Sequence, residues 1–444
     1  MKAAAIQRDI TPPVGIDITH PARPSVGVHD PLYMQALLLE DGGGNRVLIA
    51  RFDLMGIDFD LADELQETFQ REHGITRTLL NFSHPHSSRY FTARSDEPSA
   101  EAEWINGAHD KLAEAVVSAC ASLESVSLYA GRAPAQVGFN RRVLNEEGRA
   151  VMAVNRDAPR VPWVNTLEVR RPDGRPLAVL FEHPAHPVIV PDQSRLISAD
   201  FPGAASARVR ERLGGDVVAL FGQGCCGNIN AFPLRTSHEN AEKAGRELGD
   251  AVIDAMAAAV PVGADRLDVR VAARVELPTR ELPAMDVWEE ASESLDAARS
   301  KGADRWITAE EYRVFRRRLD TIREMMERGE ERGLPRRLDV TAVMLGREWL
   351  LVAMPHELFC EYELWIDEAA PFAHTMTLGY TNGGQGYIAV DKDLAMGPKG
   401  GYEAGCLPRW GAFGSLSEHL GPPAVGVEGI VKNTIAGLWK PRQS

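Results

Sequence analysis

Residues 33–52 read YMQALLLEDGGGNRVLIARF, and the segment that follows them to residue 82 sets the fold class. Two apolar runs, 33–39 and 46–52, flank Asp41-Gly42-Gly43-Gly44, a turn signal between two strands. Leu61, Leu65 and Phe69 then recur at helical spacing across 60–73, and Gly74 stops the pattern. A third short apolar run occupies 76–82. Strand, turn, strand, helix and strand in this order predict an α/β layer rather than a bundle or an all-β sandwich.

The alternation continues outward. An amphipathic segment spans 101–122, a buried strand 177–181, a helix 201–213, and a strand 216–221 that opens into Gly222-Gln223-Gly224-Cys225-Cys226-Gly227-Asn228. From about 285 to 336 the chain turns heavily charged, with 310–332 reading as one long helix. Such a run is ordinarily a solvated helical face; a lid or a contact in a homo-oligomer is the alternative. Strands resume at 338–345 and 349–353. No internal repeat is visible. The expectation is an α/β fold with a layered mixed sheet and flanking helices. It forms a single large domain over 1–444, interrupted by a charged helical excursion at about 285–336.

Composition narrows the function. A net charge of −14 repels phosphate backbones and anionic lipid, which argues against nucleic acid and membrane as partners and for a small-molecule substrate. No apolar run approaches the ~18 residues of a membrane span, and the apolar start MKAAAI is too short for a secretory signal, so the expected compartment is cytoplasmic. The five cysteines (Cys120, Cys225, Cys226, Cys360 and Cys406) are odd in number and lack a CxxC pair. They read as reduced, packed thiols rather than a disulfide framework or structural zinc site.

Histidine carries the chemical signal. Ser83-His84-Pro85-His86, His183-Pro184-Ala185-His186-Pro187 and Pro355-His356-Glu357 each follow a predicted strand, where α/β enzymes place their working groups. In extended chain, residues two apart face one side, which would put His84 and His86 at one site. Imidazoles and a carboxylate from separate segments can form a three-ligand catalytic zinc site with a position left for water. The glycine-rich turn 222–228 lacks the lysine of a phosphate-binding loop and reads as a close backbone approach. Cys225 or Cys226 as a nucleophile activated by histidine is the alternative chemistry.

A set of motifs in one order resembles the neutral/alkaline non-lysosomal ceramidase family. They are Asp9-Ile10-Thr11-Pro12, Asp30-Pro31-Leu32-Tyr33, Ser83 to His86, Asn140-Arg141, Ala185-His186-Pro187, Ser198-Ala199-Asp200, residues 224–230, Pro355-His356-Glu357, Gly379-Tyr380-Thr381-Asn382, Tyr387-Ile388 and Tyr402-Glu403. The resemblance implies a zinc ion (Zn2+) held by His84, His186, Glu357 and Tyr387, with His86, Arg141 and Tyr402 as further active-site groups. The Tyr387 assignment comes from the resemblance alone. One departure stands out: Gly227-Asn228-Ile229-Asn230-Ala231-Phe232 puts Asn230 where the family has its catalytic serine. An amide cannot form an acyl-enzyme. The chain also ends soon after the last motif, without the immunoglobulin-like C-terminal domain of the eukaryotic and secreted members, which makes membrane-derived ceramide a poor expectation.

The resulting expectation is a zinc-dependent hydrolase cleaving an amide or related bond by metal-activated water. His86 would carry the proton, while Arg141, Tyr402 and the Asn230 amide would stabilise developing negative charge. The substrate would be small, soluble and polar, with Arg89, Arg94, Arg141, Arg142, Lys392 and Lys399, together with Tyr90, suited to a carboxylate or sugar acid. The rival readings are a metal-dependent lyase acting on a sugar acid and a non-catalytic ligand-binding relative.

Overall fold

The computed structural model describes residues 1–18, 23–300, 309–384, 386–405 and 422–440. Its organising unit is the one opened by residues 33–52. Strands Tyr33–Glu40 and Arg46–Phe52 form an antiparallel hairpin. Helix Phe59–His73 then crosses over, and Arg77–Phe82 pairs in parallel with Arg46–Phe52. Gly74, in the left-handed conformation at φ 62°, ends the helix: its N–H donates to the Gln70 carbonyl, and the N–H of Ile75 donates to the Phe69 carbonyl.

The same unit occurs twice more. Trp163–Arg170 and Pro176–Glu182 pair antiparallel, helix Asp200–Leu213 crosses over, and Val218–Gly222 runs parallel to Pro176–Glu182. Arg336–Leu345 and Trp349–Ala353 pair antiparallel, helix Cys360–Ala369 crosses over, and His374–Leu378 runs parallel to Trp349–Ala353. Each unit is extended on its far edge by another antiparallel strand: Lys2–Asp9, Ser127–Pro134 and Leu267–Leu277. The sequence shows no repeat because what recurs is hydrophobic pattern and connection, not residue identity.

Alternation along the strands sends successive side chains to opposite faces, and both faces are covered. Leu37, Leu39, Val47 and Ile49 of the first sheet join Leu167, Val169 and Leu180 of the second and Val343, Leu351 and Leu378 of the third in one shared core. On the reverse faces, Leu38, Leu48 and Phe52 pack with Leu61, Phe69, Ile105 and Leu112, while Phe181 and Phe221 pack with Phe201 and Val209. The reverse face of the third sheet, Leu338, Val340 and Val352, packs against Tyr362, Ile366, Val431 and Ile435. Three mixed sheets thus meet inside and helices lie outside, the layered α/β architecture expected.

The charged excursion differs in detail. The helix expected over 310–332 runs over Ala309–Glu327, and a second helix, Met285–Ser300, precedes it. Trp288, Ala291 and Leu295 of one pack on Leu319, Ile322 and Met325 of the other. The Trp288 indole donates to the Leu319 carbonyl at 2.8 Å. Charge count hid the first helix, whose apolar residues serve only this small private core. The next strand begins at Arg336, so residue 336 belongs to the third sheet, not to the excursion.

Candidate metal centre

The three parallel strand pairs end beside one another, and the candidate residues leave from those ends, the position α/β sheets favour for ligands. His84 and His86 follow Arg77–Phe82, His186 follows Pro176–Glu182, and Tyr380 follows His374–Leu378. Glu357 opens the short strand Glu357–Leu358, which pairs in parallel with Tyr387–Ile388 so that Glu357 lies opposite Tyr387. Asn230 sits on Ile229–Ala231, bridged to His186 on one side and to Gly138–Leu144, the strand of Arg141, on the other. Tyr402 lies on the short helix Gly401–Ala404.

The side chains converge. Glu357 Oε2 lies 2.9 Å from His186 Nε2 and 3.8 Å from His84 Nε2. Two atoms each about 2.0–2.1 Å from one tetrahedral ion stand about 3.3 Å apart, so these three donors have the spacing of ligands to one centre. The His86 ring lies 5.3 Å from that of His84 and 6.1 Å from that of His186. His84, His86 and His186 also form one of two groups with metal-binding spacing among the described residues; the other is His29, Asp30 and His238.

The far nitrogens are held as metal-bound histidines are usually held. His84 Nδ1 is 2.6 Å from the Met55 carbonyl, and His186 Nδ1 is 2.7 Å from that of Cys226. A carbonyl only accepts, so in both rings Nδ1 carries the proton and Nε2 is left as the donor atom toward the centre. Burial would push the Glu357 carboxyl up. When Nε2 also carries a proton, the His186 hydrogen bond and the charges of His84, His186 and Arg141 outweigh it and hold the group well below the usual carboxylate range.

Arg141 closes one wall. Its Nε donates to Glu403 Oε1 at 2.7 Å and its Nη1 to Asn230 Oδ1 at 3.0 Å. Arginine has no acceptor, so the Asn230 oxygen must face it and the Nδ2 donor faces elsewhere. The guanidinium lies over the rings of Tyr387 and Tyr402, at 5.3 and 5.9 Å from their centroids, and the two rings are 5.3 Å apart, edge to face.

Several expected participants go elsewhere. His183 is locked between the Trp163 carbonyl at 2.8 Å and the Val137 N–H at 3.3 Å, and burial pushes its pKa down to about 4. It is a neutral packing residue. His356 directs Nε2 to the Arg337 carbonyl at 2.6 Å and packs against Phe59. The expected anion-recognising cations are not gathered at the centre either. Arg94 pairs with Asp110, Arg142 with Asp393 and Glu403, Lys392 with Glu361, and Arg89 with Glu101. Lys399 is spent on the Glu147 carbonyl, Tyr90 is half exposed, and only Arg141 overlooks the histidines.

His84 and His86 do meet, though not by strand alternation. His84 has φ 65°, a left-handed kink that ends the extended run. His356 (φ 72°) and Tyr380 (φ 48°) carry the same kink at the matching strand ends. Positive φ at non-glycine residues is uncommon and collects at functional sites.

Two further observations concern the glycine-rich turn. A Cβ on Gly227 would collide with the carbonyl oxygen of Glu357 and lie 2.9 Å from that of Leu358, so the turn is a close backbone approach. Cys225 and Cys226 are fully buried, and burial pushes both thiols well up, which removes the thiolate that the cysteine alternative requires. Cys406 lies outside the described residues.

One residue of the cluster carried no role in the sequence reading. The Tyr380 hydroxyl donates to Glu357 Oε2 at 3.2 Å, lies 3.4 Å from His186 Nε2, and its ring packs 4.7 Å from that of His84. The only sequence signal was its place in the motif Gly379-Tyr380-Thr381-Asn382.

The sequence matches no family model and no curated protein. The fold does match solved structures. A neutral ceramidase from Pseudomonas aeruginosa superimposes with a TM-score of 0.66 at 17% identity, over 91% of this chain and 70% of that one. A ceramidase complexed with C2 superimposes with a TM-score of 0.70 at 16% identity, over 100% of this chain and 76% of that one. The class is therefore a layered α/β protein with a histidine- and carboxylate-lined centre at its strand ends. Within that class, the chain has the neutral ceramidase fold. No helix among the described residues is long and apolar enough to cross a membrane.

Proposed function

We propose that this protein is a zinc-dependent hydrolase that cleaves an amide or related bond in a small polar substrate. The observation that carries this reading is the convergence of His84, His186 and Glu357, whose donor atoms stand 2.9 and 3.8 Å apart across three separate sheets. Two neutral imidazoles and an ionised carboxylate fit Zn2+, and the resemblance adds Tyr387 as a fourth ligand. Zinc in such a site supplies charge that polarises a carbonyl and acidifies water.

The chain's own residues would do the rest. His86 stands beside the ligand histidines and is the group placed to take a proton from attacking water and return it to the leaving nitrogen. Arg141, fixed by Glu403, and the Asn230 amide, fixed by Arg141, offer preorganised donors to an oxyanion, with Tyr402 beside them. Asn230 cannot form a covalent acyl intermediate, so water attacks directly. The carboxylate or sugar-acid preference loses its support, because its proposed cations are paired elsewhere.

The test is metal analysis of purified protein followed by a panel of amides and esters that includes N-acyl amides of short and long chain. One zinc per chain, lost in H186A and E357Q and kept in R141A with turnover down about 10²–10³-fold, is the expected result. Full metal content in H186A and E357Q would refute the ligand set.

A further inference from the structure

This inference rests on the metal-centre reading above and extends it. We propose that Tyr380 supplies a phenol oxygen directly to the bound ion, because its hydroxyl touches two of the three converging donor atoms. The hydroxyl lies 3.2 Å from Glu357 Oε2 and 3.4 Å from His186 Nε2. Those are the separations that two ligands of one tetrahedral ion adopt, about 3.3 Å. The ring also packs against the third ligand, His84, at 4.7 Å. The Tyr387 phenol has a different setting. Its ring lies beneath the Arg141 guanidinium and against Tyr402, and stands 6.5 Å from the His186 ring.

The backbone holds Tyr380 in this position from two sides. Its N–H donates to the His356 carbonyl at 3.1 Å, and its carbonyl accepts from Phe82 N–H at 3.2 Å. It is thereby tied to the segment that carries Glu357 and to the strand that delivers His84. The oxygen has an outer partner as well. The Cys226 thiol donates to it at 3.1 Å, while the Cys226 carbonyl accepts from His186 Nδ1 at 2.7 Å. One residue thus orients two groups at the centre, the arrangement by which outer partners tune metal ligands.

The experiment titrates zinc alone into the metal-free full-length protein. Ultraviolet difference absorption reads conversion of phenol to phenolate, and metal analysis reads stoichiometry. The native protein is expected to take up one zinc with a phenolate signal. Y380F should bind zinc more weakly by at least the factor of about 10–100 that loss of an outer partner costs, and lose the signal of one phenolate, while Y387F keeps the contribution of Tyr380. Full signal amplitude in zinc-loaded Y380F overturns the proposal while leaving the metal centre standing. Failure of the native protein to bind zinc at all overturns the metal reading and the proposal with it. Should Y380F not fold, C226A decides: zinc bound with a shifted phenolate band supports the assignment, and an unshifted band refutes it.

Discussion

Replacing Gly227 with alanine tests whether the glycine-rich turn is what holds Glu357 in register with the histidines. A Cβ there would overlap the Glu357 carbonyl oxygen and stand 2.9 Å from the Leu358 oxygen and 3.0 Å from the Glu357 carbonyl carbon. All three are backbone atoms, so no side-chain rotation relieves the clash. The Gly227 N–H also donates to the Leu358 carbonyl at 2.8 Å, which clamps turn and strand together. Overpacking of this kind costs about 1–3 kcal/mol, a fall of about 1–3 °C in melting midpoint for a chain of this length. The functional cost is larger. Clearing the contact moves the Glu357 strand by about 1 Å, and a displacement of that size lowers turnover about 10²-fold. Zinc affinity, measured by competition with a chromophoric chelator, should fall about 10–100-fold. Gly215→Ala is the control, since a Cβ there meets nothing within 4 Å. If Gly227→Ala melts, binds zinc and turns over like Gly215→Ala, the close approach does not position the site.

Two other outcomes can be checked on the protein without knowing its substrate. Asp200 is fully buried, and burial pushes its carboxyl from 3.8 up to about 6. The folded state then holds the proton more tightly than the unfolded one, so this contribution is complete below about pH 4 and is lost as pH rises through 6, a change of about 3 kcal/mol. The urea midpoint of the native protein minus that of D200N should therefore fall between pH 4 and 6, and a flat difference would contradict the assignment. Iodoacetamide at pH 8 should label the half-buried Cys120 while sparing Cys225, Cys226 and Cys360 until denaturant is added; rapid native labelling of Cys226 with loss of activity would restore the thiolate mechanism.

What could be read from the sequence was what local physics decides. The hairpin and crossover of residues 33–82 follow from a glycine turn, a helical stripe and a stop residue, each visible within a few positions. The histidines after the strands were legible for the same reason. The finer geometry was not. His84 and His86 come together through a left-handed backbone that no alternation rule predicts. His183 and His356 look as reactive as His186 on paper, and only their partners, Trp163 and Arg337, show them to be packing groups. Tyr380 was missed because a tyrosine after a buried strand reads as core. The arginines and lysines near the motifs were misjudged because their carboxylate partners lie far along the chain, as with Arg142 and Asp393.

The threefold recurrence of hairpin, crossover and parallel strand has a consequence for assembly. No unit contains the centre: the first brings His84, the second His186, and the third Glu357, which lies 171 positions beyond His186. An ion gripped by all three would act as a cross-link over very long stretches of chain, removing loop entropy from the unfolded ensemble much as a disulfide does. Metal uptake would then be a late event that reports when all three sheets have docked, and a chain cut between any two units would lose it completely.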